Sequence, residues 1–160
     1  MADPTNAAVQ SWRYEHALTA KMIRAVPASS IGMQPHEKSR SARDLCWHMA
    51  EAERFFVAQC LSVEVPGENP VPKGAPLPTP TAIADAFDRS HAALAAATEQ
   101  KGAAWFAEVV DFFKTKMSRA AVLELMIRHE VHHRGQLTVY LRLAGAKVPS
   151  TYGGSADEPG

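Results

Sequence analysis

The sequence predicts an all-α protein built as a four-helix bundle. Three observations support this prediction. Four segments repeat apolar side chains at helical spacing, no segment shows a convincing strand pattern, and a long proline-rich connection separates the second segment from the third. The 160 residues are enough for a substantial core, so we expect a single domain over residues 1–160.

The first two helices have recognisable starts. Helix one begins at Asp3-Pro4, because proline is tolerated in the first turn, and runs to Val26, where the next residue is again a proline. After a polar loop, helix two begins behind Ser41. Its spacing to Asp44 resembles a capping box with aspartate in place of glutamate. We expect helix two to continue to about Val63.

The third helix follows the proline-rich connection. Residues 66–80 carry several prolines, so we expect a long loop that either crosses the end of the bundle or covers a site. Thr79-Pro80 is typical of an N-cap followed by proline at the first helical position. Helix three is therefore predicted from this point to about Lys101.

The fourth helix is the longest regular pattern in the chain. Before it, residues 105–116 fit either a short extended piece or a loop packed on the bundle. Ser118 is the predicted cap, and the helix runs to about Ala144 and ends at Gly145, a typical residue just beyond a helix C-terminus. The tail from about residue 150 is rich in Gly, Ser and Pro, and we expect it to be loosely ordered.

Composition limits the classes of partner and the location. Seventeen basic residues balance 17 acidic ones, and no basic stripe appears, so nucleic acid is not an expected partner. No apolar run reaches the roughly 18 residues of a membrane span, and the N-terminal segment has no export signal. Cys46 and Cys60 lie on one predicted helix, too far apart to bond to each other. They indicate reduced thiols in a cytoplasmic protein, most simply buried as small apolar groups.

The fourth helix carries three histidines close together. His129 and His133 are four residues apart, which places the two rings about one turn, or roughly 6 Å, from each other. At about 100° per residue, His133 falls near the centre of the apolar stripe and His129 falls to one side. His132 falls on the flank, facing solvent or a neighbouring subunit. We therefore predict that His129 and His133 are two ligands of a metal site.

A third inward histidine lies on helix two. His48 shares the apolar face with Leu45 and Ala52, so it can meet the histidine pair across the core. Three neutral imidazoles suit Zn, Ni or Fe(II) and do not suit Mg or Ca. His16, on the face of Trp12 in helix one, is most simply a hydrogen-bonded core histidine. A role as a fourth ligand or active-site group stays open.

The same letters also match a zinc-protease signature. His129-Glu130-x-x-His133 is a literal HExxH, in which the glutamate would activate a metal-bound water. The extended form of the motif is absent, and the chain lacks strand signals for a substrate-aligning sheet. We interpret the HExxH as a coincidence of letters.

Three motifs together resemble a known family. Leu-Cys-Trp-His-Met-Ala at residues 45–50, His-x-x-x-His-Arg-Gly-Gln-Leu at residues 129–137, and the closing residues 141–149 are similar to the DinB/YfiT-like metalloenzymes. The similarity extends from the first helix to about Tyr152. This resemblance implies a four-helix bundle with three histidine ligands at His48, His129 and His133. It also implies open coordination positions, a small-molecule substrate, and a homodimer.

The resemblance further implies a type of chemistry. Characterised relatives are metal-dependent thiol transferases or isomerases that use bacillithiol, mycothiol or glutathione, so we expect a thiol S-transferase with such a cosubstrate. A metal-dependent hydrolase that uses metal-bound water, or a non-catalytic metal-binding stress or interaction protein, stays as an alternative. Supporting roles are open for three residues. Arg134 can anchor a carboxylate or form an interhelical ion pair, Gln136 can hold a ligand or substrate, and Glu51 can be a base or a solvated surface residue.

Overall fold

Four long helices form the frame of the structure, a computed structural model that describes residues 4–159. Helices α1 and α2 each pack against both α3 and α5, so the four surround a common core. A five-residue helix, α4, precedes α5. The predicted fold class is confirmed, and of the predicted start Asp3-Pro4 only Pro4 lies within the described residues. The helix bounds are α1 Pro4–Arg24, α2 Ala42–Arg54, α3 Pro80–Glu99, α4 Ala103–Ala107 and α5 Arg119–Leu143.

The predicted caps open three of these helices. The side-chain oxygens of Ser41, Thr79 and Ser118 each accept a hydrogen bond from the backbone N–H three residues later, at 3.1, 3.1 and 3.2 Å. Each bond satisfies one of the free N–H groups of a helix start, which stabilises a helix by about 1 kcal/mol. The capping box at Ser41 takes a modified form, because the Asp44 carboxylate accepts from the serine hydroxyl at 2.7 Å.

The end of α5 has the predicted glycine geometry. Gly145 has a φ of 68°, in the left-handed region that glycine adopts without strain. The N–H of Ala146 donates to the carbonyl of Leu141 at 2.9 Å, and the N–H of Gly145 donates to Arg142 at 3.1 Å. These two bonds are the Schellman pattern that stops a helix.

Helix α2 changes pitch at its end. Residues Phe55–Cys60 continue it as a π-helix, and the regular structure ends there instead of at about Val63. A wider turn inserts an extra residue into the hydrogen-bonding pattern and rotates the side chains that follow. Phe56 is thereby brought alongside α5, where its ring centroid lies 5.8 Å from that of His129.

A β-hairpin lies between α4 and α5, so the expectation of no strand is wrong. Strand β1 (Val109–Phe112) pairs antiparallel with β2 (Thr115–Ser118), with Val110 opposite Met117. Of the two structures proposed for residues 105–116, the extended one is correct for residues 109–112 and 115–116, while residues 105–107 belong to α4. The sequence pattern was too short to identify, because four-residue strands give only two alternations.

The proline-rich connection packs on α2. Val71 is buried in the core, and the indole N–H of Trp47 donates to the carbonyl of Gly74 at 3.1 Å. These contacts fix the loop along the side of the bundle.

None of the described helices combines the length and apolar character needed to cross a membrane.

The C-terminal segment has defined partners. The Glu158 carboxylate accepts from Lys21 at 2.8 Å and from the backbone of Ser150 at 2.9 Å. Asp157 pairs with Arg142 of α5. Composition alone predicts a loosely ordered tail, because it does not show that acidic residues near the end of the chain meet bases on α1 and α5.

Candidate metal centre

Three imidazole nitrogens converge between α2 and α5. The Nε2 atoms of His48 and His129 are 3.2 Å apart, those of His48 and His133 are 3.2 Å apart, and those of His129 and His133 are 3.1 Å apart. Ligand atoms around a metal with bonds of about 2.0–2.1 Å are separated by roughly 3.3 Å in a tetrahedron and roughly 3.0 Å in an octahedron. The spacing of the three nitrogens therefore fits one shared metal ion.

The ring orientations fit the same purpose. The ring planes of the three histidines are inclined to one another by 68°, 86° and 73°. A metal ion lies in the plane of each imidazole that binds it, so steeply crossing planes allow three lone pairs to meet at one point. We call His48, His129 and His133 the open histidine cluster, because all three side chains are half-buried and reach two cavities.

The helices place these rings on the faces that a turn of about 100° per residue predicts. His129 and His133 are one turn apart on α5, flanked along the buried stripe by Met126 and Leu137. His132 is exposed and lies outside the open histidine cluster.

The protonation states favour metal binding. Burial, followed by the positive charge of Arg40 and the neighbouring rings, lowers the pKa of His48 to about 4. Burial and the neighbouring histidines lower the pKa of His129 to about 4 as well. Both rings are therefore neutral at pH 7, which leaves their lone pairs free for a metal.

Gln136 fixes the orientation of one ring. Its Oε1 lies 2.8 Å from His133 Nδ1, and an amide oxygen can only accept, so Nδ1 carries the proton. In a neutral imidazole this leaves Nε2 of His133 unprotonated and directed at the open histidine cluster. The amide nitrogen of Gln136 donates to Nε2 of His132 at 3.1 Å.

A second group of side chains lies deeper in the bundle. The Glu53 carboxylate, 1% exposed, accepts from Trp12 Nε1 at 2.6 Å and from His91 Nδ1 at 3.0 Å, and it lies 3.4 Å from His16 Nδ1. We call His16, Glu53 and His91 the buried His/Glu group. Its donor atoms lie within 4.8 Å of one another, so it too can hold a divalent metal ion.

The geometry of the buried His/Glu group differs from that of the open cluster. The rings of His16 and His91 are stacked at 3.7 Å with planes only 13° apart, so their lone pairs run nearly parallel. Burial acts to raise the pKa of Glu53, but hydrogen bonds and charge from both histidines lower it to about 2. Burial acts to lower the pKa of His16, but Glu53 raises it. These groups form an internal ion pair, which agrees with the simpler interpretation of His16 as a hydrogen-bonded core residue.

The Arg134 side chain is buried inside the bundle and hydrogen-bonded there. It is 3% exposed, its guanidinium donates to the Glu15 carboxylate at 2.7 Å and to the Thr19 hydroxyl at 3.2 Å, and it also contacts the Tyr152 hydroxyl. This is the interhelical ion pair that the sequence left open. The guanidinium lines neither of the two cavities at the open histidine cluster.

The glutamate of the HExxH letters also points inward. Glu130 is 2% exposed, and burial together with the negative charge of Glu53 raises its pKa to about 8. The nearby groups that act on it are Thr19, His16 and Arg134, which belong to the core beside α1 and not to the open histidine cluster. Its placement agrees with the interpretation of HExxH as a coincidence.

Two of the cavities lined by the described residues border the open histidine cluster. One, of about 410 Å³, is lined by His133 and Gln136 together with Lys38 and Arg40 of the loop before α2. The other cavity, of about 450 Å³, borders His48 and His129. It is also lined by Glu51, Ala52, Arg54, Phe55, Phe56 and Phe113. Glu51 thus lies beside the cluster. The proline-rich connection contributes to neither cavity.

Sequence reasoning missed three of the residues that line the cavities: Lys38, Arg40 and Phe113. Lys38 and Arg40 lie in an irregular loop, where no periodicity reports which way a side chain points. Phe113 lies in the turn of the unpredicted hairpin. The only available signal was indirect: two basic residues immediately before the cap of a helix that carries a predicted ligand.

The two cysteines are structural. Both are free, and burial raises the pKa of the Cys46 thiol to about 12 and also raises that of Cys60. A thiol with a raised pKa is a poor nucleophile at pH 7, so neither cysteine is a candidate for the chemistry of this site.

Comparison with known proteins identifies the family. The family model described as the DinB family matches residues 1–159. The chain belongs to the DinB family. Similar solved structures include a DinB-like protein from Bacillus cereus ATCC 10987, with 26% sequence identity and a TM-score of 0.80 over 92% of this chain and 97% of that one.

Two further comparisons extend this finding. A DinB-like protein from Bacillus subtilis shares the fold, with a TM-score of 0.71 and 21% identity over 91% of this chain and 97% of that one. YrdA of Bacillus subtilis strain 168, described as uncharacterized, is 29% identical over 153 residues, which cover 94% of this chain and 89% of YrdA. DinB membership and the clustered donor groups fit a metal-binding DinB-like protein.

Proposed function

We propose that this DinB-family protein is a metal-dependent enzyme of one domain. In this proposal His48, His129 and His133 hold a divalent transition metal ion (Zn, Ni or Fe), and the enzyme transfers a low-molecular-weight thiol to an electrophile. The observation that carries the proposal is the convergence of three neutral imidazole nitrogens, 3.1–3.2 Å apart, at the border of two cavities. A purely structural metal site needs no such access.

The protein supplies position and electrostatics. A bound divalent ion would contribute positive charge that favours the thiolate form of a nearby thiol. Gln136 keeps the His133 ring in the tautomer that presents Nε2 to the open histidine cluster. Arg40 adds positive charge beside the same rings, which favours an anion there. No protein nucleophile is needed, since the thiol itself attacks.

The first experiment measures metal content. Elemental analysis of protein purified without a histidine tag is expected to find metal in the wild type and little in His48→Ala. His132→Ala is the matched control, because it removes a neighbouring histidine outside the cluster. Full metal content in His48→Ala would refute the ligand set. Loss of metal in His91→Gln but not in His48→Ala would assign the ion to the buried His/Glu group.

The second experiment measures turnover. Metal-loaded protein is screened with glutathione-type thiols and small electrophiles, and activity is expected to be lost together with metal in His48→Ala. Turnover of ester or amide substrates without any thiol would favour the hydrolase alternative. A large loss of stability on chelation, with no turnover of either kind, would favour a non-catalytic metal-binding protein. The homodimer and the cytoplasmic location stay predictions, the first testable by light scattering.

A further inference from the structure

The two cavities at the open histidine cluster differ in charge. Among the described residues that line the cavity bordered by His133, the only charged side chains besides histidine are Lys38 and Arg40, both positive and both exposed. Neither forms a salt bridge with a carboxylate within the described part of the chain. We call this space the cationic cavity. Its charge complements a ligand that carries carboxylates.

The loop that carries these charges is held in place. The Tyr140 hydroxyl donates to the carbonyl of Arg40 at 2.9 Å, and the Gln34 amide donates to the carbonyl of Ser39 at 2.7 Å. The backbone N–H of Ala42 donates to the carbonyl of Met33 at 2.8 Å. A backbone fixed in this way positions Lys38 and Arg40 before any ligand arrives, which reduces the entropy lost on binding.

The cavity on the other side is aromatic. Phe55, Phe56 and Phe113 line it beside His48 and His129, and we call it the phenylalanine cavity. Its two charged residues, Glu51 and Arg54, have opposite signs, so the cavity has no net charge from them. The space therefore suits an uncharged ligand with a ring that can pack against phenylalanine.

Phe113 has an unusual conformation for its position. It lies in the two-residue turn of the hairpin with a φ of 51° and is 77% exposed, and its ring centroid is 6.1 Å from that of Phe55. A bulky residue with positive φ is a backbone outlier, and most of its ring stays exposed although it contacts Phe55 and Phe112. A ligand that packs against Phe113 and Phe55 would provide the missing contact.

We propose that the two cavities bind the two substrates separately: an anionic thiol in the cationic cavity and an uncharged aromatic electrophile in the phenylalanine cavity. This proposal rests on the proposed thiol transfer. The two ligands meet at the open histidine cluster, because His133 borders one cavity while His48 and His129 border the other. The thiol proton goes to solvent. With a benzyl halide as the electrophile, the sulfur lone pair forms the new C–S bond while the carbon–halogen bond breaks, and halide leaves with the bonding electrons.

The test uses binding, so it does not depend on turnover. Calorimetry on the metal-loaded full chain compares glutathione, which can occupy only the cationic cavity, with S-benzylglutathione, whose benzyl group can reach the other. Arg40→Gln is expected to weaken both ligands by about five- to tenfold, as for the loss of one partly screened charge contact. Arg89→Gln is the matched control, since Arg89 is an exposed arginine of α3 that lines neither cavity.

A second variant separates the two cavities. Phe113→Gly removes the ring and relieves the backbone, so the protein is expected to stay folded. It should weaken S-benzylglutathione about threefold or more while leaving glutathione unchanged. Equal effects of Arg40→Gln and Arg89→Gln, or equal loss of both ligands in Phe113→Gly, would overturn the proposal. If both variants behave as expected but no conjugate forms from glutathione and benzyl chloride, the thiol-transfer proposal fails while the assignment of the cavities stands.

Discussion

Replacing Glu53 by glutamine tests whether the buried His/Glu group stabilises the bundle as an internal ion pair. The folded-state pKa of Glu53 is about 2, compared with 4.5 in the unfolded chain. At about 1.4 kcal/mol per pH unit, this difference corresponds to roughly 3 kcal/mol of stability above pH 4.5. Glutamine has nearly the same shape and keeps an oxygen that can accept from Trp12, so packing is preserved while the negative charge beside His16 is lost.

The pH window follows from the sign of each shift. Because the pKa of Glu53 is lowered by folding, its contribution is present above pH 4.5 and disappears as the pH falls towards 2. Because the pKa of His16 is raised by folding, its contribution is present below pH 6.5 and disappears as the pH rises through the raised value. The ion pair therefore stabilises the fold most between about pH 4.5 and 6.5.

Urea denaturation of chelated protein measures the effect. Glu53→Gln is expected to lose about 3 kcal/mol at pH 6, and the deficit should shrink as the pH is lowered from 4.5 towards 3. Glu124→Gln is the control. It breaks an exposed pair with Arg128 one turn along α5 and should cost less than about 0.5 kcal/mol. A deficit below about 1 kcal/mol at pH 6, or one that does not change with pH, would refute the ion-pair argument.

Three further predictions concern the open site. Phe113→Gly should raise the free energy of unfolding by about 1 kcal/mol, because glycine adopts positive φ without strain; unchanged or lower stability in urea would contradict this. Gln136→Leu should weaken metal affinity about tenfold or more in a competition titration, while Gln136→Glu, which keeps an acceptor for His133 Nδ1, should stay close to wild type; equal affinities would remove its orienting role. Because folding lowers the pKa of His48 and His129 to about 4, the chelated protein should lose melting temperature as the pH falls from 6.5 to 4. The loss should be smaller in His48→Ala, and an equal loss in both proteins would argue against the lowered values.

Much of the frame could be predicted, because its signals are local. Ser41, Thr79 and Ser118 cap helices through bonds that span three residues, and Gly145 ends α5 through bonds within its own last turn. The hairpin was missed for a related reason. Its strands have four residues each and give only two alternations of the sheet pattern, and its turn carries a phenylalanine where glycine or asparagine is usual.

The positions of the three site histidines were predictable from helical spacing and from the apolar face that each helix buries. The spacing of His129 and His133, and the apolar neighbours of His48, were enough to bring the three rings together. The buried His/Glu group was not found, because His16, Glu53 and His91 lie on three different helices and no two of them show the one-turn spacing that marks His129 and His133. Only the packing of α2 against α3 shows that Glu53 and His91 are 3.0 Å apart.

The HExxH letters show how helix geometry divides one motif between two environments. One step along α5 turns the chain by about 100°, so His129 faces the open cluster while Glu130 faces the core. His129 has a pKa lowered to about 4 and is a neutral donor at pH 7, whereas Glu130 has a pKa raised to about 8 and keeps its proton. A carboxyl group that is buried and protonated cannot accept a proton from a water beside the open histidine cluster. The same helix therefore supplies two ligands to the open site and a neutral carboxyl group to the interior, and any general base at the open site has to come from another element, such as Glu51 on α2.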